Sequence, residues 1–203
     1  PIGSRGLGDV YKRQIQDSTG ALWFTQSTQN KNEERLFVAI AKPIPDGALF
    51  RLPLSDTGDF AEKPELILDE LDFANGFYLN ETNKKFYLSE TLANRVLSFD
   101  LDVSTGSLVN MTILADIPSP DNMQFNHDGF LWVASPLSNQ IFSIDITNGD
   151  FFVVFDAQTK DGAAIVAEGI SRVSRGDGMA DLLGPEAIGE MPGLLTGMII
   201  GNK

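Results

Sequence analysis

The feature of this sequence that most constrains its fold is an internal repeat of 45 to 46 residues. Residues 73–102, FANGFYLNETNKKFYLSETLANRVLSFDLD, align with residues 119–147, SPDNMQFNHDGFLWVASPLSNQIFSIDIT. In this alignment Asn75 matches Asp121 at a spacing of 46, and later positions match at a spacing of 45. A fixed period of this length is the signature of a fold assembled from equal structural units.

Each unit contains short apolar segments in the same order. An apolar segment follows the Asn or Asp, a polar turn leads to an aromatic segment, and two further segments close the unit. Alternation of apolar and polar residues with turn residues between segments is typical of β-strands. Four strands per repeat of about 45 residues is the pattern of a β-propeller blade. The sequence therefore predicts an all-β chain of propeller blades, and the fixed period disfavours a β-sandwich.

About three blades are expected. Residues 15–72 supply the last three strands of a first blade, residues 73–118 form the second, and residues 119–193 form the third. Residues 194–203 contain the apolar run LLTGMII and are expected to begin a further blade.

A helical insertion interrupts the third unit. The period breaks after residue 157, and Ile165, Val166, Ile170 and Val173 then recur at helical spacing. This spacing predicts a helical insertion over residues 161–184 that lies over one face of the blades.

The first 14 residues differ in composition from the rest of the chain. Residues 1–14, PIGSRGLGDVYKRQ, carry three basic residues in an otherwise acidic protein and contain no apolar run typical of a signal peptide. They resemble translated adapter sequence, so we expect them to lie outside the fold. The whole chain is then interpreted as an internal fragment of a longer propeller.

Composition excludes several classes of site and partner. The 203 residues include no Cys and one His, which excludes thiolate metal sites, and a Ser-His-Asp triad would have to use His127. The formal net charge of −13 disfavours binding to nucleic acid. No apolar run approaches the roughly 20 residues of a membrane-spanning helix, so no membrane span is expected.

The repeat also predicts where a functional site would lie. The first strand of each propeller blade lines the central channel, so residues that begin these strands converge near the axis. This places Asn75, Asp121, Asn122 and Thr196 around one ring. Carboxylate and amide oxygens are hard ligands that suit calcium better than zinc. The alternative is that these polar residues only form turns that enter strands.

At these residues the chain resembles the SMP-30/gluconolactonase/strictosidine-synthase-like propellers, which are related to paraoxonases. The resemblance is carried by FANGFYLNETNKKFYLSET, SPDNMQFNHDGFLWVAS and, more weakly, DSTGALWFTQST. It implies a six-bladed β-propeller with calcium or another divalent cation in the channel. Members of this family are commonly lactonases or related ester hydrolases.

The resemblance also implies specific metal ligands. The Asn before Gly in the family motif matches Asn75, the Asp of its Pro-Asp step matches Asp121, and Asn122 matches the Asn that follows in some branches. Thr196 is expected to face the substrate channel. Two further family ligands are not found: a Glu from an early blade, and an Asn shortly before ALWFTQST, where VYKRQ stands.

These features together favour a metal-dependent hydrolase of a lactone or ester, with no general base assigned. Two alternatives stay open: a non-catalytic propeller that binds a small ligand or a protein, and a strictosidine-synthase-like lyase. Among the remaining candidates, His127 is expected in a surface turn, and Trp23 and Trp132 in the core between blades. Glu90 is expected to form hydrogen bonds between blades.

Overall fold

The computed structural model describes residues 11–188, 191 and 193–201, and it places three four-stranded antiparallel sheets along the chain. The strands of each sheet follow one another in sequence and pair in that same order. Pairing within each repeat, rather than between repeats, is the arrangement of propeller blades. The predicted all-β partial propeller is therefore confirmed.

The first sheet begins earlier than the sequence predicted. Its strands are β1 (Tyr11–Gln16), β2 (Leu22–Gln26), β3 (Gly47–Leu52) and β4 (Glu65–Leu71). Strand β1 starts inside residues 1–14, which we expected to lie outside the fold; residues 1–10 lie outside the described part of the chain. The difference arises because Tyr11 and Gln14 continue the antiparallel pairing of Ile15 with β2, opposite Gln26 and Phe24.

The second and third sheets repeat the same layout. The second contains β5 (Ala74–Asn80), β6 (Lys85–Glu90), β7 (Arg95–Asp102) and β8 (Ser107–Ala115). The third contains β9 (Met123–Phe125), β10 (Leu131–Ser135), β11 (Gln140–Ile144) and β12 (Phe151–Asp156). All eight strands fall inside the repeat units from which they were predicted.

The second sheet is buried on both faces. Phe86 and Leu88 belong to an apolar cluster shared with Trp23 of the first sheet. Tyr87, which lies between them in sequence, belongs to a second cluster shared with Val133 of the third sheet. Because successive side chains of a strand point to opposite faces, β6 contributes to both interfaces and fixes the stacking of three sheets.

Among the described residues, three α-helices interrupt or follow the strands. They are α1 (Arg35–Ala41) between β2 and β3, α2 (Lys160–Arg175) after β12, and α3 (Pro185–Ile188). Helix α2 confirms the predicted insertion and ends at Gly176 in the left-handed conformation. Gly169 weakens the helix intrinsically, but a Cβ there would lie 2.8 Å from Leu137, so glycine allows α2 to pack closely on the third blade.

Residues 194–200 do not form the strand that the sequence predicted. They run in an irregular conformation, and the backbone N–H of Asn122 donates to the carbonyl of Thr196 at 3.3 Å. An inner strand is stabilised by pairing with the second strand of its own blade, and among the described residues no strand pairs with residues 194–200. Residues 202 and 203 lie outside the described part of the chain, and the start of a further blade stays a prediction.

A buried ion pair joins the first two sheets. Asp17 accepts hydrogen bonds from Thr19, from the backbone of Ala21 and from Trp23 Nε1, which lies 2.8 Å from its Oδ2. Arg51 Nε lies 3.6 Å from the same oxygen, and the side chains of Arg51 and Asp17 are 6% and 0% exposed. Arg51 Nη2 also donates to the carbonyl of Val103, so the pair bridges the two sheets.

The pKa of Asp17 reflects this environment. Burial alone would raise the pKa of the Asp17 carboxyl, but the hydrogen bonds from Thr19, Trp23 and Ala21 outweigh burial and hold this pKa below its usual value of 3.8. The ionised carboxylate is therefore favoured in the folded protein. A lowered folded-state pKa stabilises the protein above the unfolded-state pKa, and this contribution is lost as the pH falls through the folded-state value.

We expect Asp17→Asn to lower the free energy of unfolding at pH 7 by about 2 kcal/mol, because it removes the buried carboxylate beside Arg51 and sets an amide N–H₂ against the Trp23 N–H. Arg51 keeps a second counter-charge in the half-exposed Glu65, 3.4 Å away, which limits the loss. Chemical denaturation measures this change. The variant is also expected to lose less stability than the wild type below about pH 4, where the Asp17 carboxyl of the unfolded wild type takes up a proton before that of the folded protein.

The matched control is Asp102→Asn. Asp102 makes the same local hydrogen bonds, to the backbone N–H and hydroxyl of Ser104, but it is exposed. The control is expected to change stability far less than Asp17→Asn. Equal effects of the two substitutions would contradict a special role for the buried pair.

Candidate functional site

The inner strands of the three sheets lie side by side. Strand β1 contacts β5, and β5 contacts β9. Strand β5 lies very close to the segment before β9 at Gly76. A Cβ added to Gly76 would lie 2.5 Å from the carbonyl oxygen of Asp121 and 2.6 Å from Cα of Asn122. Only glycine fits here, so the residues before and after it are held against the segment that carries Asp121.

A cavity of about 170 Å³ lies where these strands begin. Every polar side chain that lines the cavity bears an oxygen: Asn75, Thr91, Ser119, Asp121 and Thr196. The other lining residues are apolar, and they come from segments outside the strands. Three of the four ring residues predicted from the repeat, Asn75, Asp121 and Thr196, are thus brought to one cavity.

Asn75 is buried and oriented by the second blade. Its Nδ2 donates to Thr91 Oγ1 at 3.1 Å, and Thr91 Oγ1 in turn donates to the carbonyl of Pro120 at 2.7 Å. The carbonyl of Asn75 accepts a hydrogen bond from Thr25 Oγ1 of the first blade. Its side-chain oxygen Oδ1 is buried and has no hydrogen-bond partner among the described residues. Because buried polar atoms are nearly always paired, this oxygen is a candidate ligand-binding atom.

Asp121 is 5% exposed and is held by the third blade. Its backbone N–H donates to the carbonyl of Ala134, and the backbone N–H of Ala134 donates to the carbonyl of Asn122. The Asn122 side chain is used differently from that of Asp121, because its Nδ2 donates to the carbonyl of Thr196 at 2.7 Å. Asn122 therefore fixes the segment that carries Thr196 and does not line the cavity, and its predicted ligand role stays a prediction.

Four of the apolar side chains that line the cavity come from two insertions. Leu36 and Ile40 belong to α1, and Met179 and Leu183 flank a 3₁₀ turn at Ala180–Leu182 after α2. We call these four side chains the apolar roof. The insertions are joined by a hydrogen bond from the backbone N–H of Met179 to the carbonyl of Ile40 at 2.8 Å.

Two features hold the insertions in place. An added Cβ at Gly178 would collide with the backbone of Ala41, so glycine permits their close contact. Arg172 of α2 binds Asp181 through two nitrogens and also donates to the carbonyl of Gly178 at 2.9 Å. Hydrogen bonds to Asp181 and Glu168 raise the pKa of the Arg172 guanidinium further above its usual range, so it stays charged.

The turn before Asn75 is held by Glu90, which was expected to form hydrogen bonds between blades. Its partners lie instead in the turn that enters the second blade and in the second blade itself. Glu90 accepts hydrogen bonds from the backbone N–H of Asp72 at 2.8 Å and from Arg95 Nε at 2.6 Å. Burial, with the nearby charge of Glu90, raises the pKa of the Asp72 carboxyl, and Arg95 acts in the opposite direction. This cluster lies beside the cavity and positions the start of β5.

Two other sequence candidates lie away from the cavity. His127 is in an exposed turn, as expected, with Nε2 2.8 Å from the carbonyl oxygen of Gly201. Trp132 was expected in the core between blades but is only half-buried and lines a surface pocket with His127. It occupies the repeat position of Tyr87, whose face is covered by the third sheet. Among the described residues no sheet covers the corresponding face of Trp132.

The role of Thr91 and the presence of helix α1 were not predicted from the sequence. The Thr91 hydroxyl links the Asn75 side chain to the segment carrying Asp121, and no motif marked it. The apolar pair Leu36 and Ile40 has the i, i+4 spacing of one helix face, which is the signal that would have identified α1.

No metal centre or membrane helix is evident in the described part of the chain. Within residues 11–188, 191 and 193–201, no three His, Cys, Asp or Glu side chains are grouped to hold a metal ion. None of the helices described there combines the length and apolar character that a bilayer span needs.

Comparison with known proteins identifies a family match over most of the chain. The family model described as SMP-30/Gluconolactonase/LRE-like region matches residues 15–171. Regucalcin from Oryctolagus cuniculus is 31% identical over 85 residues, which cover 40% of this chain and 28% of regucalcin.

Solved structures show the same fold. A gluconolactonase from Xanthomonas campestris aligns with a TM-score of 0.52 and 21% identity, over 72% of this chain and 47% of that structure. A calcium-binding regucalcin from Agrobacterium tumefaciens aligns with a TM-score of 0.52 and 16% identity, over 77% of this chain and 57% of that structure. The chain therefore spans about half the length of these structures, and less than a third of the rabbit protein is aligned.

We expect Gly76→Ala to lower the free energy of unfolding by about 2 kcal/mol, because the new methyl group meets backbone atoms that cannot rotate away. Residue 76 has no left-handed conformation, so the effect reports on crowding between β5 and the Asp121–Asn122 segment alone. The matched control is Gly197→Ala, where a Cβ would make ordinary contact with Asn122 at 3.6 Å. Thermal and chemical denaturation compare the two, and a neutral Gly76→Ala would contradict the close approach.

Proposed function

The chain belongs to the SMP-30/gluconolactonase/LRE-like family, and from this premise we propose that it forms part of a hydrolase of lactones that uses a divalent cation, calcium, at the cavity described above. The observation that carries the proposal is the buried Asn75 Oδ1, which has no hydrogen-bond partner among the described residues and shares its cavity with Asp121. The calcium-binding and gluconolactonase names of related structures support it.

The residues that line the cavity fit a hard cation. An amide oxygen, a carboxylate and hydroxyl groups are the ligand types that calcium and magnesium prefer, whereas zinc favours His and Cys. Asn75 and Asp121 are the proposed protein ligands. A single carboxylate with neutral oxygens leaves coordination positions for water and substrate, since calcium takes six to eight oxygens.

The chain's own residues have separate tasks in this proposal. Thr91 directs the Asn75 amide by accepting from Nδ2, which leaves Oδ1 for the ligand. The apolar roof limits the access of bulk water to the bound lactone. A cation at this position, when bound, supplies polarisation of the lactone carbonyl and stabilises the negative charge that develops on its oxygen.

The reaction itself is addition of water to the lactone carbonyl. The water oxygen forms a bond to the carbonyl carbon, the ring C–O bond breaks, and the departing oxygen takes a proton to give a hydroxy acid. No residue is assigned as general base. Asp121 is assigned as a ligand, because a carboxylate that binds a cation is a weak base.

We expect Asp121→Asn to weaken calcium binding by more than about 100-fold, since it removes the charged ligand, and Asn75→Ala to weaken it less, since it removes a neutral one. The measurements are the calcium-dependent rise in melting temperature, calcium titration calorimetry, and the rate of lactone hydrolysis.

The matched control is Asp116→Asn, which removes the same charge from an exposed position in the loop that leads to Asp121. It is expected to leave calcium binding and hydrolysis unchanged. Calcium binding that survives in Asp121→Asn would refute the proposed ligand set. Lactone binding without hydrolysis in the presence of calcium would favour the non-catalytic alternative.

A further inference from the structure

We propose that the cavity selects lactones whose ring carries hydrocarbon substituents and discriminates against polyhydroxylated sugar lactones. This inference rests on the proposed function, because it concerns the substrate of the same site. It is carried by the chemistry of the cavity lining. Most of the residues that line the cavity are apolar, and they include the four side chains of the apolar roof.

The size of the cavity sets the scale of the ligand. A cavity of about 170 Å³ is close to the roughly 150 Å³ that holds one benzene molecule in an apolar protein interior. A six-membered lactone ring with one short substituent therefore fills it. A longer acyl chain would have to extend past the roof toward the surface.

The polar lining side chains are few and have separate tasks. Asn75 and Asp121 would hold the proposed cation, which would bind the lactone carbonyl, and the Thr91 hydroxyl already bonds to Asn75 and Pro120. The hydroxyls of Ser119 and Thr196 remain, fewer than the four hydroxyl groups of glucono-δ-lactone. With the carbonyl at the cation, the rest of the ring lies against the apolar roof. Leu36, Ile40, Met179 and Leu183 carry no side-chain group that could accept a hydrogen bond well or donate one.

The energetic consequence differs for the two kinds of substrate. A ring methyl or methylene group gains from transfer out of water into contact with these side chains. A hydroxyl group placed there loses its hydrogen bonds to water and finds none in return, which disfavours binding. Discrimination therefore comes from the positions where a sugar lactone carries its hydroxyl groups.

Several contacts hold the apolar roof in place, as selection between substrates requires. The hydrogen bond from Met179 to Ile40 and the close approach of Gly178 to Ala41 tie α1 to the segment after α2. The Arg172 contacts with Asp181 and Gly178 tie that segment to α2. Met179 is 4% exposed and packs in one apolar cluster with Phe73 and Leu92 of the blades. A roof anchored to the blades retains its apolar surface when a ligand enters.

A matched pair of lactones tests this inference. δ-Hexalactone has the carbon skeleton of glucono-δ-lactone without its four hydroxyl groups, so the reacting group and ring size are identical. In the presence of calcium we expect kcat/KM for δ-hexalactone to exceed that for glucono-δ-lactone by at least about tenfold. Hydrolysis is followed with a pH-stat.

Ile40→Asn places a polar side chain in the roof. It is expected to lower kcat/KM for δ-hexalactone about tenfold, mostly through KM, and to leave glucono-δ-lactone unchanged or improved. The control is Phe37→Asn on the same helix, which is 59% exposed and does not line the cavity. It is expected to change neither substrate. If Ile40→Asn fails to fold, Ile40→Thr is used, with a smaller shift in the same direction.

A binding measurement separates this inference from the proposed hydrolase. The lactam 6-methylpiperidin-2-one, a non-hydrolysable counterpart of δ-hexalactone, is expected to bind the wild type and to bind Ile40→Asn about tenfold more weakly by calorimetry. Lactam binding with this difference but no hydrolysis of any lactone refutes the hydrolase and supports the apolar selectivity. Equal kcat/KM values for the two lactones, or a ratio unaltered by a folded Ile40 variant, refute the selectivity and leave the hydrolase standing.

Discussion

Burial of both faces of the second sheet is the constraint on which the other features depend. Phe86 and Tyr87 are adjacent in sequence but belong to separate cores, one shared with the first sheet and one with the third. Full burial of an aromatic side chain contributes about 2 to 3 kcal/mol, so neither interface can shift without a substantial cost. Because Asn75 begins the second sheet and Asp121 precedes the third, this packing also sets how the two side chains approach each other.

The blade junctions near the axis need polar groups as well as apolar packing. The carbonyls of Asn75 and Pro120 lie where one blade meets the next, and a buried carbonyl without a partner is costly. Thr25 of the first blade and Thr91 of the second each donate a hydroxyl to the carbonyl of the following blade. The same hydroxyl of Thr91 accepts from Asn75, so an interaction that closes the blade junction also orients a candidate ligand.

The repeat made most of the fold predictable, because period and strand alternation are local properties of the sequence. The strands of the second and third sheets and the helix over residues 160–175 were all anticipated. Strand β1 was not, since its residues carry no alternation strong enough to offset their unusual composition. Residues 194–200 were expected as a strand from their apolar character, but strand formation depends on a pairing partner that local sequence does not reveal.

The candidate site, like the fold, was predictable only where it depends on the repeat. Asn75, Asp121 and Thr196 were predicted to share a site because equivalent positions of successive blades face one axis, and the structure brings all three to one cavity. The apolar roof was not predicted, because α1 and the turn after α2 meet through contacts between segments about 140 residues apart, such as Met179 with Ile40. The i, i+4 spacing of Leu36 and Ile40 could have indicated helix α1, but nothing local in either segment indicates that the two would meet.

The polar and the apolar lining residues of the cavity differ in how much the fold depends on them. Asn75 and Asp121 come from the repeat, and Thr91, which orients Asn75, also closes a junction between blades. The apolar roof is built by insertions that interrupt the repeat and pack on the blades through one cluster that includes Phe73, Leu92 and Leu137. A substitution at Ile40 or Leu183 therefore alters the chemistry facing a ligand while the strand pairing beneath it stays the same. Substitutions of the polar lining residues therefore affect the stability of the fold, whereas substitutions in the apolar roof affect the blades less.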